Sequence, residues 1–140
     1  MLVLVRGKQG SGKTTKAREM LSQDLVDVHV ETDMYFMDYG IYRFDHNKLQ
    51  RAHEWCLETT KVFLNSGLRV AVSNTFSRAW EVSPYVRLGY TTKVFECAGD
   101  YKSVHNVPDD VVKRLSDRYV SFEQLSKELS DGGLLIFKGI

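Results

Sequence analysis

Residues 7–14, Gly-Lys-Gln-Gly-Ser-Gly-Lys-Thr, constrain this chain more than any other segment. They fit the phosphate-binding pattern G-x-x-x-x-G-K-[ST], and their flanks suit it. Leu2, Val3, Leu4 and Val5 form a short apolar run of the kind a buried strand uses. Residues 15–21 read as a helix with Ala17, Met20 and Leu21 on one face. Strand, glycine loop and helix is the arrangement that phosphate binding demands. Glycines let the backbone wrap closely around an anion. The loop amides and the helix N-terminus then attract it. In this reading Gly7, Gly10, Ser11, Gly12, Lys13, Thr14 and Thr15 surround the phosphates. Lys13 reaches the β- and γ-phosphates, and the Thr14 hydroxyl binds Mg²⁺. The bland alternative is a glycine-rich turn that binds nothing.

Composition narrows the class. The 140 residues are 43% hydrophobic and 26% charged, which suits a single domain with a real core. No apolar stretch approaches the ~20 residues of a membrane span. The N-terminal apolar run gives way at once to the loop, unlike a signal peptide. Cys56 and Cys97 are too few for a disulfide framework and lack C-x-x-C spacing. A reducing, cytoplasmic location is therefore expected. The net charge is +1, so a nucleic-acid partner would have to meet a local patch rather than a global basic field.

Strand and helix signals alternate along the rest of the chain. Residues 25–31 (LVDVHVE) read as a strand that ends at Thr32 and Asp33. Residues 34–47 are aromatic and irregular, with Gly40 at a turn. Residues 48–66 form a long helix with Leu49, Ala52, Cys56, Thr60 and Phe63 at helical spacing. Gly67 ends it. Residues 69–73 make a third strand, residues 78–88 a helix containing Pro84, and residues 91–97 a fourth strand. A loop at residues 98–107 precedes a helix from Pro108 to Tyr119, with Asp109 and Asp110 in its first turn. Ser121 and Gln124 form a capping box for a last helix through Leu129, and residues 134–137 make a fifth strand. This alternation predicts a three-layer α/β domain with a parallel sheet, whose ligands bind beyond the C-terminal strand ends.

The groups that could carry phosphoryl transfer are few. Asp33, at the end of the second strand, is the candidate general base. Its other possible role is a helix cap, since Met34, Tyr35 and Phe36 could open a short helix. The third strand ends Val72-Ser73-Asn74-Thr75, without the carboxylate that usually helps hold Mg²⁺ there. Ser73 could orient a metal-bound water but brings no charge. Either Asp33 also assists the metal or the metal is held weakly. Residues 98–107 lie where a lid would cross the phosphates, with Lys102 its cation beside His105. Arg43, Arg78, Arg114 and Arg118 are other candidates for the cation, or else solvated surface charges. His29, His46, His53 and His105 have no cysteine or carboxylate at ligand spacing, which argues against zinc. His53 either packs on its helix face or meets an acceptor. The aromatic group Tyr35, Phe36, Tyr39, Tyr42 and Phe44 either stacks on an acceptor base or forms a packed flap.

The whole chain resembles the polynucleotide-kinase-like branch of small P-loop kinases, on five stretches in order. These are the loop Gly7–Thr14; Glu31-Thr32-Asp33; Tyr42-Arg43-Phe44-Asp45 with Ala52-His53-Glu54-Trp55; Ser73-Asn74-Thr75 with Ala79-Trp80-Glu81 and Pro84-Tyr85; and residues 102–108, Lys-Ser-Val-His-Asn-Val-Pro. The resemblance implies a P-loop NTPase domain with a five-stranded parallel sheet of order 2-3-1-4-5. It also implies ATP-dependent kinase chemistry, with Asp33 as base and a cationic lid. Three departures stand out. Ser73 occupies the family's Asp position. Lys102 replaces the lid Arg, keeping charge but losing bidentate phosphate geometry. Phe36 stands where the polynucleotide kinases carry an Arg for the acceptor phosphate.

The expected activity is thus an ATP- and Mg²⁺-dependent kinase acting on a hydroxyl. The acceptor would be a nucleic acid, through a 5′-hydroxyl or a hydroxylated base, or a nucleotide-like molecule. Lys13, Asp33 and Lys102 would be catalytic, Thr14 and (through water) Ser73 would serve the metal, and Arg43, Arg78 and His53 would meet the substrate. Two rivals stay open: a nucleotide-binding module with little catalysis, and a kinase of a free small metabolite.

Overall fold

Side-chain alternation on the first strand assigns the helices to the two faces of the sheet. The computed structural model describes residues 1–99 and 109–139. Strand β1 (Leu2–Gly7) is buried along its whole length. Leu2 and Leu4 join one apolar cluster, whereas Val3 and Val5 join another. Helix α1 (Lys13–Ser22) follows the loop and covers the Val3–Val5 face with Ala17 and Met20. Small residues, Ala17 on the helix and Ala71 on the sheet, let it pack closely. Leu21, expected on the same face, is instead exposed, because Ala17 and Met20 already fill the contact.

Strand β2 (Val28–Val30) is shorter than the expected 25–31, and Leu25 is exposed. A 3-10 turn (Thr32–Phe36) follows. Strands β3 (Met37–Asp38) and β4 (Ile41–Tyr42) then pair as an antiparallel hairpin. Its turn places Tyr39 and Gly40 at positive φ, which Gly40 adopts freely. Helix α2 (Leu49–Asn65) buries Ala52, Cys56, Thr60 and Leu64, and Gly67 follows its end with φ of 85°. Strand β5 (Val70–Asn74), helix α3 (Ala79–Val86) and strand β6 (Thr92–Cys97) come next. Helix α4 (Asp109–Asp117), helix α5 (Phe122–Asp131) and strand β7 (Phe137–Lys138) complete the described chain. Only half of the expected capping box forms. Ser121 Oγ accepts from the Gln124 N–H at 3.1 Å, but the Gln124 amide turns to Glu128.

Five strands form one parallel sheet in the order β2-β5-β1-β6-β7. In chain numbering this is 2-5-1-6-7, which corrects the expected 2-3-1-4-5. The cause is the hairpin, a separate two-stranded sheet that propensity did not reveal. Helices α2, α3 and α5 pack their apolar faces against Leu2, Leu4, Val70, Val72 and Val94, opposite α1. Among the described residues no helix is long and apolar enough to cross a membrane.

Candidate nucleotide and phosphoryl-transfer site

The loop between β1 and α1 holds a shape that its glycines make accessible. Gly10 and Gly12 have φ of 77° and 92°, and Gly12 is the N-cap of α1. Gly7 has no room for a side chain: a Cβ there would stand 2.2 Å from Ser11 Oγ and 2.9 Å from the Cys97 carbonyl. The Ser11 N–H donates to the Lys8 carbonyl at 3.1 Å, and Gly99 N–H donates to the Ser11 carbonyl at 3.2 Å. Ser11 Oγ is buried without a hydrogen-bond partner, the only such side-chain atom among the described residues. Lys13 Nζ donates to the Lys8 carbonyl at 3.2 Å. Burial pushes the Lys13 amine below its ordinary pKa, and the nearby carboxylates of Asp33 and Glu31 oppose that shift. A cleft of about 330 Å³ opens beside the loop, lined by Ser11, Gly12, Thr15, Lys16, Phe95 and Cys97.

The strand ends beyond the loop bring two carboxylates to it from β2. The β2–β5 register pairs His29 with Ala71 and Val30 with Val72, and its continuation sets Glu31 beside Ser73. Glu31 Oε2 accepts from the Thr14 hydroxyl at 2.8 Å and from the Ser73 hydroxyl at 2.9 Å. Ser73 Oγ also lies 2.6 Å from His29 Nε2. Since the Ser73 proton goes to Glu31, the serine oxygen accepts from the imidazole. Burial, the largest influence on His29, pushes its pKa down and favours the neutral ring.

Asp33 takes a different direction. It lies inside the 3-10 turn, whose N-cap is Glu31, so the cap role does not belong to Asp33. Its Oδ1 accepts from the Tyr42 hydroxyl at 3.3 Å. Burial, reinforced by Asp33, pushes the Tyr42 phenol up to about 12, which keeps it a donor. Thr32, next to Asp33, is fixed from both sides: its N–H donates to Asn74 Oδ1 at 3.1 Å, and its hydroxyl lies 3.4 Å from His53 Nδ1. The aromatic segment packs as a flap, with Phe36 against Tyr35, Tyr42 and Phe44.

Not every expected residue gathers here. Arg43 is exposed and pairs with Asp38 at 3.6 Å across the hairpin. Arg78 caps α3, its backbone N–H held by the Glu81 carboxylate at 3.3 Å. Lys102 and His105, with most of the lid stretch 98–107, lie outside the described residues. Sequence reasoning missed the place of Glu31, His29 and Tyr42. The available signal was the period of two, which puts residues 29, 31 and 33 on one side of an extended segment.

The oxygens of Thr14, Glu31 and Ser73 suit Mg²⁺, a hard ion that prefers oxygen ligands. Among the described residues no group of three or more His, Cys, Asp or Glu could hold a metal by itself. A metal here would therefore share its coordination with phosphates and water.

Comparison with known proteins agrees with this fold. Human NEDD4-binding protein 2 is 36% identical over 110 residues, which is 78% of this chain but 6% of that protein. A chain of the Pnkp1/Rnl/Hen1 RNA repair complex superposes with a TM-score of 0.57 at 18% identity, covering 89% of this chain and 40% of that one. Shikimate kinase from Aquifex aeolicus superposes with a TM-score of 0.56 at 13% identity, covering 84% and 79%. The fold is thus P-loop kinase-like, with neighbours from both nucleic-acid and metabolite chemistry. The family model described as AAA domain matches residues 2–120, and this chain belongs to that family, AAA_33.

Proposed function

We propose that this chain is an ATP- and Mg²⁺-dependent kinase that transfers the γ-phosphate to a hydroxyl of a nucleic acid or nucleotide-like acceptor. One observation carries the reading: the phosphate loop after β1 and the Glu31–Asp33 segment after β2 lie at the same end of the sheet, where Thr14 donates to Glu31 at 2.8 Å and the Asp33 charge acts on Lys13. Lys13 and the loop amides would hold the β- and γ-phosphates, with the rest of the nucleotide toward the cleft lined by Thr15 and Phe95. Bound Mg²⁺ would supply charge neutralisation, with Thr14 as its loop ligand. Asp33, oriented by Tyr42, would accept the acceptor hydroxyl proton. Lys102 keeps the lid role that its sequence position suggests, and residues 1–140 would act as one unit. The resemblance to polynucleotide kinases favours a nucleic-acid acceptor over a free metabolite, and a chain of an RNA repair complex shares the fold.

The test is transfer of labelled γ-phosphate from ATP with Mg²⁺. The acceptors would be 5′-hydroxyl DNA, 5′-hydroxyl RNA, DNA with hydroxymethylated bases, nucleosides and small alcohols. Label should appear on a nucleic-acid or nucleoside acceptor. The Asp33→Asn variant should bind ATP as well as the parent and lose transfer by about 100-fold or more. Label confined to small alcohols would make it a metabolite kinase. ATP binding with no labelled acceptor would make it a binding module.

A further inference from the structure

The departure at Ser73 removes a carboxylate from the place where the metal of a phosphate-loop enzyme expects one. The structure offers a replacement one strand away. We propose that Glu31, reaching across from the end of β2, is the carboxylate of the nucleotide-bound Mg²⁺ site, with Ser73 and His29 holding it in position.

This rests on the kinase reading above and deepens it. Two hydroxyls converge on one oxygen of Glu31, at 2.8 Å from Thr14 and 2.9 Å from Ser73. The first is the hydroxyl that the loop motif reserves for Mg²⁺. A carboxylate in contact with that hydroxyl needs only a small shift to share a metal or a metal-bound water with it. The longer side chain of a glutamate suits the reach from a neighbouring strand. Ser73 then has a use other than as a ligand. It donates to Glu31 and accepts from His29, a chain of the kind that orients metal ligands from behind. The two carboxylates of the segment divide the work. Glu31 turns to Thr14 on the phosphate side, and Asp33 turns to Tyr42 beside the hairpin. Asp33 is therefore not needed at the metal, and the missing acid on β5 does not imply a weak site.

The rival is a purely structural tie, in which Glu31 anchors Thr14 and Ser73 and never meets a cation. The two readings differ in what depends on Mg²⁺. ATP and ADP affinities would be measured by calorimetry with and without Mg²⁺, alongside Mn²⁺ binding to the protein–ADP complex by electron paramagnetic resonance. Glu31→Gln keeps the shape and both acceptor bonds but loses the charge. It should erase about tenfold or more of the Mg²⁺-dependent gain in affinity and weaken Mn²⁺ binding similarly. Metal-free nucleotide affinity should stay equal or rise, because a negative charge near the phosphates is gone. A double variant, Glu31→Ser with Ser73→Asp, moves the carboxylate back to β5 and should restore the Mg²⁺ gain, which covers a failure of the single variant to fold. A full Mg²⁺ gain in Glu31→Gln would overturn the assignment while leaving the kinase reading intact. Equal losses with and without Mg²⁺ would also overturn it, in favour of the structural tie. No ATP binding by the parent protein under either condition would overturn the kinase reading and this assignment together.

Discussion

Arg6 is fully buried one residue before the phosphate loop, and the consequences of breaking its ion pair can be worked from its surroundings. Its guanidinium donates to the carbonyls of Phe76, Ser77 and Val120, pairs with the Glu96 carboxylate, and lies 3.9 Å from the centre of the Tyr119 ring. Tyr119 donates in turn to the other Glu96 oxygen. One side chain thus ties β1, the β5–α3 connection, β6 and the α4–α5 junction. Glu96→Gln preserves shape and removes the counter-charge. Removing one partner of a buried pair costs about 3–5 kcal/mol. Glu96 is 25% exposed, and three carbonyls remain on Arg6, so the low end applies, about 3 kcal/mol. That is a large share of a total stability of roughly 5–15 kcal/mol. Urea denaturation should show a lower midpoint at unchanged slope, and Tm should fall by about 10 °C. A loss below about 1 kcal/mol, the range of exposed pairs, would refute the argument. It would mean that the backbone carbonyls alone satisfy Arg6.

Other expectations follow from single contacts. Lys13→Ala should weaken ATP binding by roughly 10–100-fold through loss of a charge-assisted hydrogen bond, measured by calorimetry; unchanged affinity would separate Lys13 from the phosphates. Gly7→Ala drives a methyl group into Ser11 Oγ and the Cys97 carbonyl, so the loop must shift. About 1–3 kcal/mol of stability and most nucleotide affinity should go together, and a neutral result would show that the loop tolerates a side chain there. Arg69 binds both Asp24 and Asp27, and its hydrogen bonds hold the Asp27 carboxyl down at about 2. A carboxyl depressed in the folded state stabilises above its unfolded pKa, near 3.8, and that contribution is lost as pH falls toward 2. Asp27→Asn should therefore flatten the stability curve between about pH 4 and pH 2 and leave its slope elsewhere unaltered, as followed by thermal melts.

Much of the frame was legible because it is local. The loop, its two flanking elements, the long helix ending at Gly67 and the Ser121 cap all follow from neighbours in sequence. Burial corrected the details: Leu21 and Leu25 look apolar enough for a core and stay exposed, since apolar character does not say which face a neighbour covers. The hairpin at residues 37–42 was hidden in an aromatic run without strand alternation, and its two short strands shifted the strand count. Of the acceptor candidates, His53 reaches the Asp33 segment through Thr32, whereas Arg43 pairs with Asp38.

By itself, the sequence determined the chemistry of the loop, because Gly10, Gly12, Lys13 and Thr14 are adjacent and their conformations are set by glycine and a helix start. It also supplied the two carboxylates, Glu31 and Asp33, without saying where each would point. Only the tertiary structure decided that. Parallel register brings Glu31 beside Ser73, which is 42 residues away, and a 3-10 turn then swings Asp33 toward Tyr42. The same holds for Arg6, whose partner Glu96 is 90 residues distant. A charged residue in an apolar strand is destabilising until the fold closes around it, and its place can be read only from the groups that the closed fold sets against it.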